Sequence, residues 1–156
     1  MIAVSDASPI TTLLKADQAT LLKSLFDFVV IPEAVSEELL AFHAQLPGFV
    51  RVQSVSARNH QLPSMETLGK GEAEAIQLAK EIGADILLTD DRKARAAALS
   101  LDVRCTGLLG LLVLAKQDNH IESVRTMIEV LEEQGGLYLS PAVKTEAIKI
   151  AGEQQF

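Results

Sequence analysis

The feature that most narrows the fold is a set of short apolar runs that do not alternate with polar residues. Ile2 to Val4, the middle of Phe26 to Pro32, and Ile86-Leu87-Leu88 within Asp85 to Thr89 are strand-length and apolar at successive positions. Strands patterned this way are covered on both faces, as in sheets flanked by helices. Between the runs, apolar residues recur at helical spacing. The alternation predicts a mostly parallel, three-layer α/β sheet with right-handed crossovers.

Each segment has its own local signal. The first run leads into Ser5-Asp6-Ala7-Ser8-Pro9, which places an acid at the strand's C-terminal end. A helix should follow, with Ser8 as its N-cap and Pro9 in a first turn that tolerates a missing N–H. Leu13, Leu14, Leu21, Leu22 and Leu25 have helical spacing. Glu33 to Gln45 is predicted helical, with Val35, Leu39 and Phe42 on one face. Phe49 to Val55 reads as a short strand and Ser56 to Lys70 as an exposed loop. Gly71 to Ile82 is predicted as a helix that buries Ala75, Ile76, Ala79 and Ile82, and Gly83 is placed to end it. Arg92 to Ser100 reads as an Ala-rich helix, Leu101 to Cys105 as a strand, and Gly107 to Lys116 and Ile121 to Glu133 as helices. After Gly135-Gly136, Leu137 to Leu139 reads as another short strand, and Pro141 opens a last helix.

Composition bounds the function. The chain has 156 residues, 48% of them apolar, enough for one domain (residues 1–156) with a real core. No apolar run approaches the length of a membrane span, and the N-terminus lacks a signal-like segment, so no membrane partner is expected. The single Cys105 cannot form an internal disulfide and points to a reducing, cytoplasmic setting. In its strand-like context it reads as a small hydrophobe rather than a reactive thiol. A net charge of −7 is a poor footprint for nonspecific binding of long nucleic acid, and the few aromatics and absent Trp argue against a base-stacking platform. Neither excludes a nuclease whose acids are gathered in a metal site. His43, His60 and His120 stand in scattered polar contexts and read as surface residues.

The informative acids share a face with apolar residues or end a buried strand. Glu72 precedes Ala75, Ile76 and Ala79 by three, four and seven positions, so it falls on the core-facing stripe. Glu74 falls with Gln77 and Glu81 on the polar side. Glu38 borders the face of Val35 and Phe42, while Glu37 is turned away. Asp6 and the pair Asp90-Asp91 both follow apolar strands. Each acid has an ordinary alternative: a helix-start acid favoured by the macrodipole for Glu72, a boundary residue for Glu38, a turn residue for Asp6, an N-cap for Asp90 or Asp91. Taken jointly the alternatives weaken, because one parallel sheet puts Asp6, Glu72 and Asp90/Asp91 on one rim. Carboxylates converging there repel unless a cation is present or some are protonated. Mg²⁺ or Mn²⁺ takes such oxygen ligands and activates water for in-line displacement at phosphorus.

Four stretches in order, Val4-Ser5-Asp6-Ala7-Ser8-Pro9-Ile10, Ile31-Pro32 with Glu38-Leu39, Gly71 to Ile76, and Leu87 to Asp91, resemble the PIN-domain nucleases. Thr106 to Leu112 followed by Ala115-Lys116 is similar to one prokaryotic subgroup. The resemblance spans about residues 2 to 152. It implies a Rossmann-like fold with a five-stranded parallel sheet and a metal-dependent ribonuclease. Many prokaryotic members are VapC-type toxins silenced by a small antitoxin, and PIN proteins often form homodimers. The four acids then match Asp6, Glu38, Glu72 and Asp91, with Asp90 sharing the last role; Glu72 stands where Asp is commoner. Asp6, Glu72 and Asp91 would hold one or two Mg²⁺ or Mn²⁺ ions, and Glu38 would orient or deprotonate the attacking water. Ser8 and Thr89 are either hydrogen-bond donors to these carboxylates or caps. Arg92, Lys93 and Arg95 either receive the RNA backbone or form a solvated helix face.

Two rivals remain. One is a catalytically silent PIN-like module that binds RNA or protein. The other is a receiver-like phospho-acceptor, but its acid pair would follow the first strand, where only Asp6 stands. No HExxH, P-loop, GxSxG or Cys/His cluster points to other chemistry.

Overall fold

The structure is a computed structural model that describes residues 1–56 and 67–153. Five parallel strands, β1 (Ile2–Ser5), β2 (Phe28–Ile31), β3 (Val50–Val52), β4 (Ile86–Leu88) and β5 (Cys105–Thr106), form one sheet in the order β3-β2-β1-β4-β5. The helices are α1 (Ala7–Lys15), α2 (Thr20–Leu25), α3 (Glu33–Phe42), α4 (Lys70–Ile82), α5 (Arg92–Ser100), α6 (Leu108–Gln117), α7 (Val124–Gln134) and α8 (Pro141–Ile150). The three-layer, mostly parallel α/β architecture expected from the unalternating apolar runs is therefore present. All four strand pairings are parallel.

The first strand is the middle of the sheet. Ala3 pairs with Val29 on one side and Ile86 on the other, and Val4 with Val30 and Leu87. Because successive side chains point to opposite faces, Ala3, Val29, Ile31, Ile86 and Leu88 join one core with α1, α2, α6, α7 and α8, while Val4, Val30 and Leu87 join a second with α4 and α5. Both faces of these strands are buried, which is why they tolerate no polar alternation.

Several local expectations are corrected. The leucines from Leu13 to Leu25 lie on two helices, because the chain turns at Asp17 with φ of 57°. The strand expected over Leu101 to Cys105 is only Cys105–Thr106, since the preceding residues turn through Asp102 at φ 59°. Leu137 to Leu139 forms no strand and pairs with none among the described residues. Its Leu137 N–H goes instead to the Leu131 carbonyl at the end of α7 (3.1 Å). Helix α3 ends at Phe42, which is 83% exposed rather than on the buried face with Val35 and Leu39. Most of the loop expected over Ser56 to Lys70, with His60, lies outside the described residues, and Lys70 already begins α4. Gly83 ends α4 in the left-handed conformation (φ 63°), as expected. Among the described residues no helix is long and apolar enough to cross a membrane.

Candidate active site

Asp6 is fixed where β1 runs out. Its backbone N–H still donates to the Leu88 carbonyl (2.9 Å), so the acid is held at the rim beside β4. Its side chain caps α1, Oδ1 accepting the Ala7 N–H at 2.8 Å, and its Oδ2 accepts the Thr89 hydroxyl at 3.3 Å. The expected cap, Ser8, lies inside the first turn and is exposed. Asp6 takes the capping role because it carries the extended backbone (φ −74°, ψ 170°) from which a side chain can reach back. Asp6 is 5% exposed, an uncommon state for a carboxylate without a cationic partner.

Asp6, Glu38 and Glu72 line one cavity of about 560 Å³. Burial pushes the Asp6 carboxyl up to about 6. The Ala7 amide and Thr89 hydroxyl oppose that shift, and the charges of Glu72 and Glu38 add to it. Glu38 is also raised, by partial burial and then by Glu72. Glu72 lines this cavity and Glu74 does not. Glu74 instead accepts the Ala34 N–H at the start of α3 (3.3 Å), and Glu81 accepts the Ser56 N–H (2.9 Å). The face read as polar is thus partly a helix–helix contact, with Gln77 buried in it.

Two glycines make room for the glutamates. A Cβ on Gly71 would overlap Glu38 Oε1, and one on Gly69 would overlap Glu72 Oε2. Both carboxylates therefore lie against bare backbone at the start of α4. Gly69-Lys70-Gly71 ahead of an acid-bearing helix is the sequence signal for this close approach. Lys15, Phe42 and His43 also line the cavity and were missed as site residues. His43, expected on the surface, has a buried Nε2 with no hydrogen-bond partner among the described residues.

Asp90 and Asp91 are turned to other tasks. Asp91 caps α5, Oδ1 accepting the Lys93 N–H at 3.2 Å, and Asp90 Oδ1 accepts the Leu108 N–H at the start of α6 (3.0 Å). Neither lines the cavity of Asp6; Asp90, Arg92 and Arg95 line a neighbouring cleft, and the exposed Lys93 side chain lines neither. Thr89 ties the two regions together, donating to Asp6 and accepting the Asp91 N–H at 3.3 Å. Cys105 is half-buried, and burial raises its thiol, which suits a packing role.

Among the described residues no three acids, histidines or cysteines stand as a ready-made metal cluster. The donor chemistry of Asp6, Glu38 and Glu72 nevertheless fits a hard divalent ion: three oxygen donors in one cavity, two of them raised by burial and mutual repulsion.

Comparison with known proteins identifies the class. The sequence matches the PIN-domain family DUF3368 over residues 2–153, so the chain belongs to that family. PIN domains are generally nucleases and typically use divalent metals. A PilT N-terminus domain protein from the hyperthermophilic archaeon Sulfolobus solfataricus P2 is similar in structure, with a TM-score of 0.49 and 22% identity over 71% of this chain and 90% of that one. No curated protein matches the sequence.

Proposed function

We propose that this PIN domain is a Mg²⁺- or Mn²⁺-dependent endoribonuclease and the toxin of a VapC-type toxin–antitoxin pair. The observation that carries the reading is Asp6: a buried carboxylate, raised to about 6, facing Glu72 and Glu38 in an open cavity at the sheet rim. A site of this kind is costly to fold and gains stability from a bound cation.

Asp6 and Glu72 would hold the ion, with Asp91 or Asp90 joining after a change of side-chain direction. Bound there, the ion would neutralise the acids and lower the pKa of a water. Glu38, at the exposed side, takes a proton from the attacking water; its raised pKa suits a base better than an ordinary glutamate would. Attack at phosphorus leaves a 5′-phosphate and a 3′-hydroxyl. Thr89 keeps the Asp6 carboxylate oriented. Arg92, Lys93 and Arg95 supply positive charge for the RNA backbone. A small antitoxin protein, a homodimer and a cytoplasmic setting without a membrane partner belong to the same proposal.

The silent binding module is favoured by one observation: both residues of the fourth acid position are engaged as helix caps. Calorimetric titration with Mn²⁺, wild type beside Asp6→Asn, with cleavage of a labelled single-stranded RNA on the same samples, separates the readings. Binding and cleavage that both vanish in the variant support the nuclease. Absence of metal binding in the wild type supports the module.

A further inference from the structure

A second cleft, of about 520 Å³, lies beside the acid cavity, and Ser8 lines both. The start of α5 and the start of α6 form one wall. Arg92 and Arg95 stand three residues apart on α5, so their exposed side chains share a helix side. Among the described residues neither forms an ion pair. The one acid in the cleft, Asp90, is engaged: its Oδ1 accepts the Leu108 N–H and lies where a Cβ on Gly107 would be, a position that Arg95 Nη2 approaches to 3.3 Å.

Leu137 to Leu139, after α7, line the cleft as well. Leu137 and Leu139 are half-buried and pack on the core. Tyr138 between them is 90% exposed and lines the cleft. Its ring is exposed while its half-buried neighbours anchor the backbone. It is the protein's sole Tyr, and there is no Trp.

We infer that this cleft is a subsite for one nucleotide of single-stranded RNA, with the base stacked on Tyr138 and its phosphates held by Arg95 and Arg92. The inference rests on the ribonuclease reading and deepens it. An exposed aromatic ring in one cleft with two guanidinium groups that form no ion pair among the described residues matches an unstacked base joined to an anionic backbone. The shared wall at Ser8 lets the strand continue into the acid cavity, so the subsite would set which nucleotide lies next to the reacting phosphodiester. In a chain of net charge −7, such a local pair of cations also gives the RNA a defined place to land.

Tyr138 reports on itself, since no other residue contributes indole or phenol fluorescence. The wild-type protein is titrated with a short oligouridylate in EDTA, which prevents metal-dependent cleavage. Affinities of Tyr138→Ala, Tyr138→Phe and Arg95→Gln for the same labelled oligonucleotide are read by anisotropy. The subsite predicts quenched tyrosine emission and roughly tenfold weaker binding by Tyr138→Ala. Tyr138→Phe should restore the affinity, because the ring face is kept. Arg95→Gln should weaken binding and lower the salt slope by about one. Unchanged emission with wild-type affinity in Tyr138→Ala overturns the subsite. Stacking without metal-dependent cleavage would sink the hydrolytic reading and keep the subsite. Cleavage by a protein whose Tyr138→Ala variant binds normally would do the reverse.

Discussion

The Thr89 hydroxyl joins the ends of two strands: it donates to Asp6 Oδ2 and accepts the Asp91 N–H, each at 3.3 Å. One buried side chain thus positions the acid that ends β1 and the backbone that starts α5. Thr89→Val keeps the shape, leaves the Asp91 N–H without its acceptor and frees Asp6 to turn. A loss of about 1–3 kcal/mol is expected in urea denaturation. Cleavage should fall further than the stability loss explains, because Asp6 loses its orienting donor.

Asp6 itself opposes folding at neutral pH. Its folded pKa of about 6 lies above the ordinary 3.8, so the folded state binds the proton more tightly than the unfolded chain. The stabilising effect of protonation is complete below about pH 4 and is lost as pH rises through 6. Asp6→Asn, which can still accept the Ala7 N–H, should stabilise the metal-free protein by on the order of 2 kcal/mol at pH 7.5. It should also flatten the melting temperature between pH 4 and 6. A variant less stable than wild type at pH 7.5 would refute the penalty.

Gly71 separates stability from activity. Alanine is the better helix former by about 1 kcal/mol, yet its Cβ would occupy the place of Glu38 Oε1 and touch Val35 Cγ2 at 3.5 Å. Gly71→Ala should therefore fold with stability within about 1 kcal/mol of wild type and lose at least tenfold in RNA cleavage as Glu38 is displaced. Full activity would show that the Glu38 position is not needed.

Asp91 has two possible duties that one pair of variants separates. Asp91→Ala removes the cap and should cost about 1 kcal/mol, while Asp91→Ser keeps a capping oxygen and should cost a few tenths. If Asp91 ligates the ion, both variants weaken Mn²⁺ equally in calorimetry. If it only caps, Asp91→Ser binds like wild type.

Glu153 clasps the chain end to two helices. Burial opposes its charge, but Lys116 Nζ (2.9 Å), the Val124 and Arg125 amides (2.6 and 3.1 Å) and the Ser123 hydroxyl (3.0 Å) outweigh it and hold the carboxyl down at about 2. The folded pKa is below the ordinary 4.5, so the contribution is present above pH 4.5 and disappears as pH falls toward 2. Glu153→Gln should lose about 2 kcal/mol at pH 7 and show a shallower decline in stability on acidification.

What could be read in the chain was whatever depends on neighbours in sequence. The unalternating strands, the apolar stripe of Ala75, Ile76 and Ala79, and the stop at Gly83 are local patterns, and the structure repeats them. What failed depended on partners far along the chain. Leu137 to Leu139 has strand-like residues but no sheet edge to join. Glu74 and Gln77 look solvent-facing until α3 is laid against α4. Asp90 reads as a rim acid until the start of α6, eighteen residues on, takes its carboxylate. Phe42 follows the helical period, but α3 ends on it and leaves its ring beside the acid cavity.

The central place of β1 also governs when the site can exist. Asp6 leaves the ribosome early, but its partner Thr89 follows 83 residues later. Until β4 is made, β1 can pair only with β2, and its other edge stays open. Contacts of such long sequence separation raise the entropic cost of the folding transition state and slow it. A chain interrupted before residue 86 would carry an unpaired central edge, prone to association, and could not complete its acid rim. The acid rim would therefore form only near completion of the sheet.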